Sequence, residues 1–158
     1  MGRRPFMGTA LAVLGLAGIS GSAIAATGAR TKVKCTMHLQ SLAAPSDTTG
    51  EAFGTSVCSH EFGSGVIHTS YTATPTSATT ASVTGPFKQY YDTGTVHGTF
   101  KFTLSVAPSG AVSYAGKATV LGGTGAYKHV SGSGPLTGSP SDAHHSTFTY
   151  KITLTHHT

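Results

Sequence analysis

The sequence predicts an all-β domain, built as a sandwich or a small barrel of seven or eight short antiparallel strands. Three observations lead there. Apolar and polar residues alternate with period two in several segments. Thr, Gly and Ser are abundant, charged residues are few, and Trp and Asn are absent. Turn-forming clusters recur at short intervals, and no segment after the first 25 residues has helical periodicity.

The N-terminal stretch stands apart from that domain. Arg3 and Arg4 precede the apolar run "ALAVLGLAGI", and "SAIAA" follows with Ala23 and Ala25 as small residues before a cleavage point. This predicts a cleaved signal peptide over 1–25 and a β-domain over 26–158, in a secreted protein. The apolar run is too short for a membrane span. "RRPFM" resembles a twin-arginine signal, and a short basic start suits the general secretory route equally, so both export routes stay open. Without Arg3 and Arg4, eight basic residues face five acidic ones. The lysines are scattered along the sequence and no RNA-binding signature occurs, so nucleic acid is not the expected partner.

Cys35 and Cys58 are the two cysteines, and export to an oxidising space favours a disulfide between them. Closing such a loop is worth roughly 3 kcal/mol on the chain-entropy model. They offer no C-x-x-C pair for a metal.

Strands are expected at 31–40, 52–59, 64–73, 79–90, 98–106, 112–120, 126–133 and 146–155. In the fifth, Phe100, Phe102, Leu104 and Val106 share one face. In the sixth Val112, Tyr114, Ala118 and Val120 do so, and in the last Phe148, Tyr150, Ile152 and Leu154. One apolar and one polar face mark an antiparallel sheet wetted on one side. "APSGA" joins the fifth and sixth strands, with Pro108 at the second place of a type I turn and Gly110 left-handed after it. That loop sets Val106 opposite Val112, Leu104 opposite Tyr114, Phe102 opposite Gly116 and Phe100 opposite Ala118, large against small. The hairpin in "FKQYYDTGTVHGTF" is ambiguous. A two-residue loop at Thr93-Gly94 matches the faces, whereas a three-residue Asp-Thr-Gly loop has the better turn chemistry.

Nucleotide and hydrolase motifs fail on spacing. "LGGTGAYKHVSGSG" has no Gly-Lys-Ser/Thr for a P-loop, and Lys128 stands where a third dinucleotide-fingerprint glycine is required. No G-x-S-x-G elbow occurs. The pairs His144-His145 and His156-His157 flank the last strand, too far apart to meet on it, so surface histidines are expected rather than a metal site. No cofactor is implied.

The stretch "GGTGAYKHVSG", Gly122 to Gly132, resembles the strand connection G-G-T-G-x-F/Y-x-x-x-x-G of the allene oxide cyclase and dirigent barrels, and "GTVHGTFKFTL" at 94–104 is similar to a strand of that superfamily. The resemblance covers roughly 85–155. It implies an all-β, small antiparallel eight-stranded barrel with an apolar central cavity. It also implies that Gly122–Gly125 turn the chain at a barrel end, that Thr124 hydrogen-bonds the turn and that Tyr127 packs where the strand resumes. Plant dirigent proteins guide radical coupling of phenols, and allene oxide cyclases isomerise a fatty-acid epoxide. With the aromatic inward face, the expectation is non-covalent binding of a small apolar or phenolic molecule, lined by Phe100, Phe102, Leu104, Tyr114, Phe148, Tyr150 and Ile152. An isomerase or cyclase using Asp92 with Tyr91 is the first alternative, although Asp before Thr-Gly suits a turn residue better. A fully packed extracellular structural or interaction domain is the second. The oligomeric state and the ligand's identity are left open.

Overall fold

The structure, a computed structural model, describes residues 28–43, 47–59 and 62–157. The expected signal peptide over 1–25 lies outside the described residues. Eight strands follow one another in space as in sequence: β1 (Arg30–Ser41), β2 (Thr49–Cys58), β3 (Ser64–Pro75), β4 (Thr80–Tyr91), β5 (Gly94–Val106), β6 (Val112–Gly123), β7 (Val130–Pro140) and β8 (His145–His156). Every neighbouring pair is antiparallel, and β8 pairs back onto β1 to close the barrel. Closure leaves no strand edge free to recruit another chain.

Alternation decides which side chains enter. Val33, Cys35 and Met37 of β1, and Phe148, Tyr150, Ile152 and Leu154 of β8, are buried inside. The residues between them, from Lys32 and Lys34 to Thr153, face outward. Bulky interior residues sit across from glycine: Phe87 pairs Gly98, Phe100 pairs Gly85, Phe102 pairs Gly116, Phe148 pairs Gly138 and Leu154 pairs Gly132. A Cβ at Gly116 would overlap the Lys101 carbonyl and the Phe102 backbone. Large against small is how a narrow barrel accommodates aromatic rings.

The β5–β6 hairpin has the expected register, Val106 to Val112 through Phe100 to Ala118. Ala107 N–H donates to the Ala111 carbonyl at 2.8 Å, and Gly110 adopts φ +83°. Val106 itself lies at the rim and is 37% exposed, outside the core that its strand mates build. The β4–β5 turn differs from both expected forms. Tyr91 pairs Gly94, so the loop is Asp92-Thr93, one residue before the two-residue alternative. Its parity still puts Phe87, Tyr91, Val96 and Phe102 on one interior face.

The expected strand at 126–133 is also corrected. Gly125–Tyr127 form a single 3₁₀ turn, and the strand runs later, from Val130 to Pro140. Gly125 adopts φ +59°, a left-handed conformation that breaks the ladder, and a Cβ there would strike the Thr93 carbonyl. Thr124 does fasten this turn. Its Oγ1 accepts from Thr95 N–H at 3.1 Å and lies 2.9 Å from Thr95 Oγ1.

Candidate functional site

The barrel is filled at one end and hollow at the other. At the filled end Phe62, from the β2–β3 connection, stacks on Tyr127 with ring centroids 4.5 Å apart, and Tyr91 meets both rings edge-on at 5.6 Å. Thr93 Oγ1 and the Tyr127 hydroxyl lie 2.7 Å apart, tying the β4–β5 turn to the plug. The disulfide Cys35–Cys58 crosslinks directly paired residues of β1 and β2 beside this cluster.

A buried polar chain separates the plug from the hollow end. The Tyr150 hydroxyl donates to Gln89 Oε1 at 2.7 Å, and Gln89 Nε2 donates to Ser56 Oγ at 2.9 Å. Ser56 Oγ lies 3.4 Å from the Tyr91 hydroxyl, which is 3.1 Å from Cys58 Sγ. Gln89 and Ser56 have no solvent exposure, so each polar atom depends on these partners. Burial pushes the Tyr91 phenol up to about 12, opposed by the Ser56 hydrogen bond and reinforced by Tyr127. Burial likewise raises the Tyr150 phenol, with Tyr91 adding to the shift. Both phenols stay protonated at neutral pH.

Above this floor opens a cavity of about 410 Å³. Its walls carry Phe100, Phe102, Leu104, Tyr114, Phe148 and Tyr150. The rings form one continuous surface: Tyr114 stacks on Phe148 at 5.0 Å, and Phe102 sits 5.2–5.6 Å from Tyr114, Phe148 and Phe100. Ile152 does not reach the cavity and packs in the filled half, 2% exposed. Tyr91 is part of the plug, and Asp92 is exposed in the turn at the filled end; neither lines the cavity.

The rest of the wall includes Met37, Ile67, Val83, Phe87 and Leu136, which sequence reasoning did not nominate. Their signal was the same alternation, diluted by glycine, threonine and proline. Polar groups gather at the rim. Ser41 Oγ lies 2.9 Å from the Tyr71 hydroxyl. Asp142 Oδ1 accepts the backbone N–H groups of His144 and His145 at 2.8 Å, and Oδ2 lies 2.8 Å from His145 Nδ1. These bonds, led by the His144 N–H, hold the Asp142 carboxyl down at about 2. Among the lining residues the carboxylates are Asp47 and Asp142 and the imidazole is His144, all in the connections at the mouth. Among the described residues no group of three or more His, Cys, Asp or Glu side chains could hold a metal ion.

No protein-family model matches the chain. No curated protein matches it in sequence either. Among solved structures, the chain superposes on a pterocarpan synthase dirigent protein with a TM-score of 0.51 at 12% identity, over 82% of this chain and 86% of that one. The fold is that of the dirigent barrels. A pyocyanin demethylase also aligns, with a TM-score of 0.46 at 14% identity, over 78% of this chain and 99% of that one. At such identities the dirigent-like likeness is one of architecture.

Proposed function

We propose that this dirigent-like barrel is a carrier that binds one small apolar or phenolic molecule non-covalently in its hollow end. The observation that carries the reading is the cavity itself. Its volume, about 410 Å³, falls in the range of small-molecule sites, and one side of its wall is a continuous aromatic surface. Offset and tilted rings of this kind favour a flat, apolar guest. Proton-transfer chemistry requires a titratable group near the reacting atoms. Below the rim the lining residues include no carboxylate or imidazole, and the Tyr150 proton is committed to Gln89. This favours binding over the isomerase alternative, and the open volume favours it over a fully packed domain.

Titration with 2-naphthol, followed by its fluorescence, tests the proposal. The native protein should bind it saturably with one site. Leu104→Trp, which places an indole in the mouth, should abolish binding while leaving the melting temperature within a few degrees. Equal binding by that variant, or none by the native protein, would remove the carrier reading.

A further inference from the structure

The lysines that look scattered in the sequence form a row on the barrel's outer wall. Lys34 of β1 pairs Lys151 of β8. The β7–β8 register, Ser133 to Thr153 and Leu136 to Tyr150, places Pro135 beside Lys151. Pro135 pairs Lys117 of β6, and Lys117 pairs Lys101 of β5. Four lysines thus occupy one level across five adjacent strands, and all four are exposed. Arg30 and Lys32 extend the row along the outer face of β1.

Two features set this wall apart from an ordinary solvated surface. First, like charges stand directly opposite one another twice, Lys34 with Lys151 and Lys101 with Lys117, an arrangement that weakens a sheet. Second, among the described residues no ion pair neutralises them. The strands β5, β6, β7, β8 and β1 contain no Asp or Glu. Among the described residues the ion pairs are His68–Glu51 and His145–Asp142, neither involving these six cations. A repulsion built into the register and left without counter-charge is relieved by an external polyanion.

We infer that this wall binds a linear acidic polysaccharide, lying across the strands along the lysine row. Neighbouring strands are about 4.8 Å apart, so the row runs about 19 Å, with about 5 Å within each lysine pair and about 10 Å across Pro135. That spacing suits an extended chain with anionic groups at regular intervals. Between and beside the lysines stand short hydroxyl side chains, Thr99, Thr119, Thr149 and Thr153 among them, able to hydrogen-bond sugar hydroxyls. The outward positions of these five strands carry no Phe, Tyr or Trp on which bases could stack, and no helix to enter a groove, which disfavours nucleic acid. The exposed aromatics Phe53 and Tyr90 lie on β2 and β4, outside this wall. The convex wall offers a bilayer no aromatic side chain to insert.

The test uses the full chain and dextran sulfate, with neutral dextran as control. The native protein should bind dextran sulfate with a steep salt dependence and ignore neutral dextran. The combined variant Lys34→Gln, Lys101→Gln, Lys117→Gln, Lys151→Gln should bind more than about tenfold more weakly, its salt slope smaller by roughly one per lysine removed. Its melting temperature should equal or exceed the native value, because only repulsive pairs are lost. Lys88→Gln with Lys128→Gln, outside the row, should bind as the native protein does. Absence of native binding, or equal losses in the two variants, would overturn the site. Displacement of dextran sulfate by single-stranded DNA or phosphatidylserine vesicles at lower charge concentration would overturn the polysaccharide assignment.

Discussion

Truncating one residue in each half of the barrel separates a hollow end from a packed one. Leu154 lies in the filled half, 2% exposed, with its backbone pressed against Gly132. Removing such a side chain leaves a void that its neighbours cannot close, so Leu154→Ala should cost about 3–4 kcal/mol. Phe102 is larger, and in a packed core its truncation would cost about 3–5 kcal/mol. However, its ring touches Phe100, Tyr114 and Phe148 on some sides only and borders the cavity on the rest. Contacts already missing cannot be lost again, so Phe102→Ala should cost only about 2 kcal/mol. For a domain of this size about 1 kcal/mol corresponds to about 4 °C, which predicts losses of about 14 °C for Leu154→Ala and about 8 °C for Phe102→Ala. Thermal unfolding followed by circular dichroism measures both. The larger side chain should thus be the cheaper to remove. A Phe102→Ala loss equal to or above that of Leu154→Ala would mean that the hollow end is packed in solution, and the carrier proposal would fall with it.

Gln89→Leu should destabilise by about 1–3 kcal/mol, since it leaves the Tyr150 hydroxyl without its acceptor and Ser56 without its donor. Adding Tyr150→Phe to it should cost less than Tyr150→Phe alone, a coupling that urea denaturation of the double-mutant cycle would measure. Alkaline pH should unfold the barrel through the buried phenols. The Tyr91 pKa is raised from 10.0 to about 12 in the folded state, so its contribution is complete below pH 10 and is lost as pH rises through 12. Stability constant to pH 12, or phenolate absorbance showing every tyrosine titrating together near 10, would contradict this burial. The Asp142 cap works in the other direction. Its pKa, lowered to about 2, makes its contribution present above about 3.8 and lost as pH falls through 2, and Asp142→Ala should flatten the acid limb of the stability profile over that window. Reduction of Cys35–Cys58, whose partners are 23 residues apart, should lower stability by roughly 3 kcal/mol. Melting with and without reductant checks this, and no shift would leave the crosslink without a stabilising role.

The β5–β6 hairpin was legible residue by residue because its turn chemistry and its alternation agree. Pro108 and Gly110 select one loop, and that loop fixes which large residue faces which small one. Where local signals conflict, sequence reasoning lost the register. Asp92-Thr93 forms the β4–β5 loop although Thr93 is not typical of a tight two-residue turn, because interior parity and the anchoring of Thr93 to Tyr127 prevail. Tyr127 carries an aromatic residue's β-propensity, yet it sits in a 3₁₀ turn that the left-handed Gly125 imposes. Part of the cavity wall was legible, the part drawn from β5, β6 and β8. Gln89 and Ser56 were not, since a polar side chain earns burial only from partners on other strands. The lysine row was invisible for the same reason, as register alone brings residues 34, 101, 117 and 151 to one level.

A barrel that keeps one end empty must find its stability elsewhere, and the division of labour along the axis supplies it. The filled end concentrates the devices that resist opening: the disulfide, the Phe62–Tyr127–Tyr91 cluster and the Gln89 network. At the mouth the rim is held mainly by short polar contacts, Ser41 to Tyr71 and Asp142 to His144 and His145. The strands run from one end to the other in a closed ring, so fixing the circumference at one end limits how far the other can collapse. Interior glycines opposite Phe100, Phe102 and Phe148 let the rings lie against the wall rather than across the lumen. The hollow end is therefore a consequence of side-chain placement as much as of strand number. Enlarging Gly116 would push β5 away from β6 and displace Phe102 with it, because the added Cβ would overlap the Lys101 carbonyl and the Phe102 Cα and Cβ. Gly116→Ala should accordingly weaken 2-naphthol binding and lower the melting temperature together. If binding instead persists unchanged in a folded variant, the rings do not owe their position to the glycine across from them.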